Sequence, residues 1–139
     1  MNLPPFHLAF PIHDIEETRV FYRDLLGASV GREADRWIDF DFFGHQISAH
    51  IVDEPETRVP CNDVDGKAVP VRHFGLILDM PTWTALRDRL SDAGVEFLIE
   101  PHIRFPGESG EQATMFLSDP AGNGLEFKAF ADFNSIFAK

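Results

Sequence analysis

The chain has 139 residues, enough for one globular domain or two small modules sharing a core. Its formal net charge of −11 and pI near 4.8 weigh against phosphate-backbone recognition and against anionic membrane surfaces, both of which need clustered Lys and Arg. No segment approaches the ~18 apolar residues of a membrane span. Residues 1–10 lack the basic start and long apolar run of a signal peptide, so a soluble cytoplasmic protein is expected, with no nucleic-acid and no membrane partner.

The first element is an apolar run at residues 6–10, "FHLAF", read as a strand. It leads into an amphipathic helix. Ile15, Thr18, Phe21, Tyr22, Leu25 and Leu26 follow helical spacing, and Asp14 is placed to cap its start. Three strands are expected next, at residues 30–35, 36–44 and 45–53, the last two joined by a hairpin turn at Phe43, Gly44 and His45. Residues 54–70, rich in Pro and charge, read as a linker or mobile loop. Cys61 lies in this stretch. As the single cysteine it has no internal disulfide partner, and it reads as a spare thiol on a loop rather than a nucleophile.

The same order then recurs, which is the most informative feature of the sequence. "RHFGLIL" at 72–78 reads as a strand, followed by a helix carrying Trp83, Leu86, Leu90 and Ala93, with Pro81 at its start and Gly94 at its end. Strands are expected at 95–105, 111–119 and 124–130. The last follows an Asp119-Pro120-Ala121-Gly122-Asn123 turn with Pro at its second position. The expectation is an α+β fold: one domain over 1–139 made of two βαβββ modules, 5–53 and 71–131, joined by the loop 54–70. Each module has one helix covering one sheet face, so two curved sheets turning their open faces together would form a concave cup. Fourteen Phe against one Tyr suggest a phenyl-rich interior.

Strand alternation sorts the polar residues. In "FHLAF", Phe6, Leu8 and Phe10 share one face, and His7 looks the other way. In "QISAHIV", Ile47, Ala49 and Ile51 oppose Gln46, Ser48 and His50. In "RHFGLIL", Phe74, Leu76 and Leu78 oppose His73. In "GLEFKAF", Leu125 and Phe127 oppose Glu126. A lone His on a sheet is more often a hydrogen-bonded structural residue than a ligand, and a lone strand Glu more often faces water. Equivalent places in two repeats shift that balance. His7, His50, His73 and Glu126 converging in a cup would hold a divalent Fe, Mn, Ni, Co or Zn ion, with open positions for substrate oxygens. A one-residue register slip would turn His50 away from the cup. His13, His45 and His102 read as loop or surface positions. His102, Arg104 and Glu111 are weaker candidates for substrate contact. No P-loop, GxGxxG or nucleophile-elbow pattern is present.

These residues resemble the vicinal oxygen chelate superfamily, which includes glyoxalase I, extradiol dioxygenases, methylmalonyl-CoA epimerase, and fosfomycin- and bleomycin-resistance proteins. The likeness spans about residues 5–130. It is carried best by "FHLAFPIHDIEETRVFYRDLLG" and "FLSDPAGNGLEFKAF". The resemblance implies a glyoxalase-like fold with a metal on the concave sheet, a small-molecule substrate and a homodimer. It matches the family's ligands to His7, His50, His73 and Glu126, although glyoxalase I usually has an acidic residue where His50 stands. The function implied is a metal-dependent isomerase or lyase acting on a molecule that chelates the metal through vicinal oxygens, with Glu126 as catalytic residue. An extradiol-type ring-cleaving dioxygenase and a non-enzymatic drug-binding protein are the alternatives.

Overall fold

A computed structural model describes residues 3–54 and 59–139. Two units emerge from the pattern of contacts: Met1–Arg58 with Asp119–Asn123, and Val59–Ser118 with Gly124–Lys139. Each has the βαβββ order expected from the repeat, and the α+β class holds.

In the first unit, strands β1 (His7–Ile12), β2 (Ser29–Ala34), β3 (Trp37–Phe42) and β4 (His45–Ile51) form a sheet of order β1-β4-β3-β2. The β1–β4 pair is parallel and the others are antiparallel. Helix α1 (Ile15–Arg19) starts at Asp14, whose carboxylate accepts the Glu17 N–H at 2.8 Å. It widens into a π-helical segment, Val20–Leu25. Thr18, Phe21, Tyr22 and Leu26 are buried, the apolar stripe the spacing predicts. The Tyr22 ring is packed among Phe10, Phe21, Phe40 and Phe42, with centroids 4.9–6.3 Å away. This is the phenyl-rich interior. The Asp119 turn closes the unit. Asp119 accepts the Tyr22 hydroxyl at 2.8 Å and the Ala121 and Asn123 backbone N–H groups at 2.9 and 2.8 Å, while the Asn123 amide donates to the Pro11 carbonyl at 2.7 Å.

In the second unit, β7 (His73–Leu78), β8 (Ile99–Arg104), β9 (Gln112–Ser118) and β10 (Gly124–Phe130) form a sheet of order β7-β10-β9-β8. Helix α2 (Met80–Asp92) is capped by Asp79, which accepts the Thr82 N–H at 2.8 Å. Trp83, Leu86 and Leu90 are buried, and the Trp83 indole donates to the Phe127 carbonyl at 2.9 Å. Leu125, Phe127 and Ala129 are fully buried, each large side chain contributing on the order of 1.5–3 kcal/mol. β8 begins later than the sequence suggests. Pro101 cannot donate to a ladder and is tolerated only on this edge strand, and the register shifts between Ile99 and His102.

The loop expected over 54–70 needs correction in its second half. Cys61–Val64 (β5) pairs antiparallel with Lys67–Pro70 (β6). The cause is the Asp65-Gly66 pair, both at positive φ (54° and 75°), which forms the two-residue turn favoured in hairpins. The Asp63 side chain accepts the Gly66 N–H at 3.0 Å. Cys61 is therefore an exposed strand residue. Residues 55–58 of the expected loop lie outside the described residues. No helix among the described residues is long and apolar enough to cross a membrane.

Candidate metal and substrate site

Strand β10 carries Glu126 on the face opposite α2, as alternation predicts. The residue does not face water: it is 9% exposed. An isolated buried carboxylate would be costly, and this one has partners. Its Oε2 lies 3.0 Å from His73 Nε2. Its Oε1 accepts the Thr114 hydroxyl at 2.8 Å, and Lys128 Nζ lies 3.7 Å from the same oxygen. Backbone proximity makes this possible. β7 and β10 run parallel with Gly75 beside Glu126, and a Cβ at Gly75 would sit 1.6 Å from the Glu126 carbonyl oxygen. Only glycine permits that approach.

His73 Nδ1 lies 2.6 Å from the Pro70 carbonyl oxygen. A carbonyl only accepts, so Nδ1 is the donor, and Nε2 is the nitrogen turned to Glu126. Ligating imidazoles usually hold their second nitrogen in this way. The electrostatics follow the same contacts. The Glu126 hydrogen bond raises the His73 pKa, against the opposing effect of burial. Burial pushes Glu126 upward, but the His73 and Thr114 hydrogen bonds and nearby Lys128 outweigh it and leave its pKa lowered. Both shifts favour the charged pair, an imidazolium beside a carboxylate.

The two donor types are ones that divalent metals take. Were a divalent ion to bind here, His73 Nε2 and Glu126 Oε2, 3.0 Å apart, would be the atoms that hold it. One imidazole and one carboxylate suit Fe, Mn, Co, Ni or Zn. Among the described residues, no group of three or more His, Cys, Asp or Glu side chains is placed to hold an ion.

In the first unit, His7 Nδ1 lies 2.8 Å from the Gln46 side-chain oxygen, an acceptor, so Nδ1 is again the donor. Behind it, Gln46 Nε2 donates to Asp39 at 3.4 Å and Ser48 donates to Asp39 at 2.5 Å. His50 is arranged differently. It is exposed, and the register sets it beside Pro11, whereas His7 is beside Gln46. Four residues of strand at ~3.3 Å each separate the two levels, so the sheet does not bring His7 and His50 together, and among the described residues His50 has no comparable orienting partner.

Around the His73–Glu126 pair lies a cavity of about 200 Å³. Its floor is formed by Thr114, Phe116, Glu126 and Lys128, and one wall by Ile99, His102 and Arg104 of β8. The β5–β6 hairpin supplies Val64, Asp65, Lys67 and Val69 as another. His102 and Arg104 are thus strand residues lining the cavity, correcting the loop-or-surface reading of His102. Arg104 is paired with Asp65 at 2.9 Å. Glu111 is outside this cavity, accepting the Gly107 N–H at 2.8 Å in its own loop. His13 is exposed beyond β1, and His45 opens β4 with its ring accepting the Phe6 N–H at 2.9 Å. Thr114, Lys67 and Lys128 were not singled out from the sequence. β9 is buried along almost its whole length, so no alternation marked Thr114, and the hairpin was hidden by its Pro and charge content.

The sequence profile of the Glyoxalase/Bleomycin resistance protein/Dioxygenase superfamily matches residues 5–127. Among solved structures, a glyoxalase/bleomycin resistance protein/dioxygenase from Alicyclobacillus acidocaldarius is 32% identical, covers 96% of each chain and superposes with a TM-score of 0.81. The genomically encoded fosfomycin resistance protein FosX from Listeria monocytogenes is 16% identical over 97% of this chain and 98% of its own, with a TM-score of 0.71, a likeness of fold. No curated protein matches the chain.

Proposed function

Because this chain belongs to the Glyoxalase/Bleomycin resistance protein/Dioxygenase superfamily, we propose that it is a metal-dependent, glyoxalase-like enzyme of isomerase or lyase type, acting on a small molecule with two adjacent oxygens. The observation that carries this reading is the His73–Glu126 contact at 3.0 Å at the floor of a cavity, with the far nitrogen of His73 fixed by a carbonyl. His7, which has the same fixed nitrogen, enters as a ligand on that likeness and on the sequence resemblance. His50 enters on the resemblance alone.

A bound divalent ion would supply Lewis-acid polarisation of the chelated oxygens. The remaining work falls to the chain. Pro70 orients His73. Thr114 holds Oε1 of Glu126, so the carboxylate plane is set before substrate arrives, the preorganisation on which such sites depend. Glu126 is the proposed carrier of the substrate proton. Phe116, Ile99 and Val69 exclude water around the reacting atoms.

Elemental analysis of untagged protein tests the reading, with Ala variants of His7, His50, His73 and Glu126. Loss of the metal is expected for His73→Ala and Glu126→Ala. Full stoichiometry in Glu126→Ala would show that the site is wrongly assigned. The ring-cleaving reading gains from the placement of His50: without it, the candidates are two histidines and a carboxylate, the set of non-haem Fe(II) oxygenases. Oxygen uptake with catechol after anaerobic Fe(II) loading separates the two. Sequestration of a drug-sized molecule in this cavity is disfavoured by its volume of about 200 Å³, below the ~300–1,000 Å³ typical of drug-sized sites.

A further inference from the structure

We propose that Asp39 and Gln46 are positioning residues that together fix which ring nitrogen of His7 carries its proton. This deepens the metal-dependent reading and rests on it only for what His7 then holds. The repeat shows why the first unit needs such a device. In the second unit His73 is beside Gly124, and Glu126 is beside Gly75. In the first, His7 is beside Gln46, and Ser48 is beside Ala9. Ser48 therefore stands where Glu126 stands in the other sheet and presents a hydroxyl instead of a carboxylate. Across from Ser48, on β3, is Asp39. The carboxylate lies one strand further from its histidine than in the second unit, and it reaches the ring through the amide of Gln46.

Donor and acceptor chemistry gives this chain one direction. An ionised carboxylate only accepts. Asp39 takes the Ser48 hydroxyl on Oδ1 at 2.5 Å and the Gln46 amide nitrogen on Oδ2 at 3.4 Å. The nitrogen of Gln46 is thereby turned to Asp39 and its oxygen to His7. An amide oxygen also only accepts, so the ring nitrogen 2.8 Å away, Nδ1, has to donate. Turning Gln46 over would set its oxygen against the carboxylate. The neutral ring of His7 thus carries its proton on Nδ1 and leaves Nε2 bare, because the partner of one ring nitrogen decides the state of the other. The charge that sets this order is anchored at the buried end. Ser48 is 6% exposed and Asp39 is half-buried, whereas Gln46 and His7 are exposed. Water competes at the ring, so the bias on the tautomer is that of one hydrogen bond. The second unit reaches the same end differently, with the Pro70 carbonyl on His73 Nδ1, a backbone group that no side-chain substitution removes.

The test reads the tautomer of His7 directly, from long-range proton–nitrogen correlation spectra of the full-length, metal-free protein at a pH where the imidazoles are neutral. The signal lost in His7→Gln identifies the residue. The parent should show the Nδ1–H form as the major one. Gln46→Met keeps the side-chain length and removes the acceptor, and it should move the tautomer ratio towards Nε2–H by about five- to tenfold, the weight of one hydrogen bond. Gln46→Glu returns an acceptor and should restore Nδ1–H. Asp39→Asn can offer Gln46 either its oxygen or its amide nitrogen, so its ratio should lie between the parent and Gln46→Met. His73, held by the Pro70 carbonyl, should keep its Nδ1–H signal throughout, which separates a lost relay from a lost fold. A parent in the Nε2–H form, or a ratio unchanged in Gln46→Met or in Asp39→Asn, overturns the inference. Zn affinity, by competition with a chelator, forms a separate arm and should fall about 10–100-fold in Gln46→Met. If the tautomer responds and Zn affinity does not, the relay stands and His7 leaves the metal reading.

Discussion

Thr114→Val isolates how much of the site depends on one neutral hydroxyl. Thr114 is 2% exposed and donates to Glu126 Oε1 at 2.8 Å. Valine keeps the branched shape and removes the donor, leaving a buried carboxylate oxygen whose next cation, Lys128 Nζ, is 3.7 Å away and too far to replace the bond. A hydrogen bond to a charged group contributes about 1.5–3 kcal/mol. The Thr114 bond also lowers the Glu126 pKa, so its loss should raise that pKa and stabilise the protonated, non-ligating form. If the metal reading is right, the effect appears twice. Unfolding free energy in urea at pH 7 should fall by about 1–3 kcal/mol, and Zn affinity, read by competition with a chromophoric chelator, should fall by about 10–100-fold. Near-UV circular dichroism should stay unchanged, since no side-chain volume is removed. A Thr114→Val protein with parental affinity and parental unfolding midpoint would falsify the claim that this hydroxyl sets the carboxylate.

Gly75→Ala should destabilise the second unit and reduce metal uptake, because its Cβ would fall 1.6 Å from the Glu126 carbonyl oxygen. Gly31→Ala, whose Cβ would meet Asp39 at an ordinary 3.5 Å, should leave the thermal midpoint nearly unchanged. Tyr22→Phe removes a buried hydroxyl from Asp119 and should lower unfolding free energy by about 1–3 kcal/mol, with metal content as the unaffected control. The pH dependence of metal-free stability has a definite sign. His73 is raised from its ordinary 6.5, so its contribution is full below that value and is lost as pH rises through the folded pKa. Glu126 is lowered from its ordinary 4.5, so its contribution is full above that value and is lost as pH falls through the folded pKa. The pair should therefore stabilise most between pH 4.5 and 6.5, and His73→Gln should flatten that maximum in thermal melts. A metal held by His73 as proposed would displace its proton, so affinity should decline about tenfold per pH unit below the folded pKa.

What the sequence made legible follows the physics of period. Two βαβββ units could be read because each helix carries a 3.6-residue stripe and each strand a two-residue alternation, and both survive in the burial of Tyr22, Leu26, Trp83 and Leu90. The same alternation put Glu126 and His73 on one face of one sheet, where they stand 3.0 Å apart. Alternation gives a face and not a level along the strand. His50 and His7 are on the same face of their sheet, and only the register, Pro11 beside His50 and Gln46 beside His7, separates them. Thr114 and the hairpin failed to register for a related reason. A strand buried on both sides, as β9 is, has no polar phase to read, and β5 and β6 are four residues each, too short for any period to rise above their Pro and Asp content. The Asp65-Gly66 turn signal was nevertheless present, and given more weight than the surrounding composition it would have predicted the hairpin that brings Lys67 to the cavity. Residues that meet in one cavity, as His73 and Glu126 do, can be found by face and repeat. Those that surround them come from elements with weak periodicity, so in a fold of this kind the lining of a cavity is the part that sequence pattern exposes least.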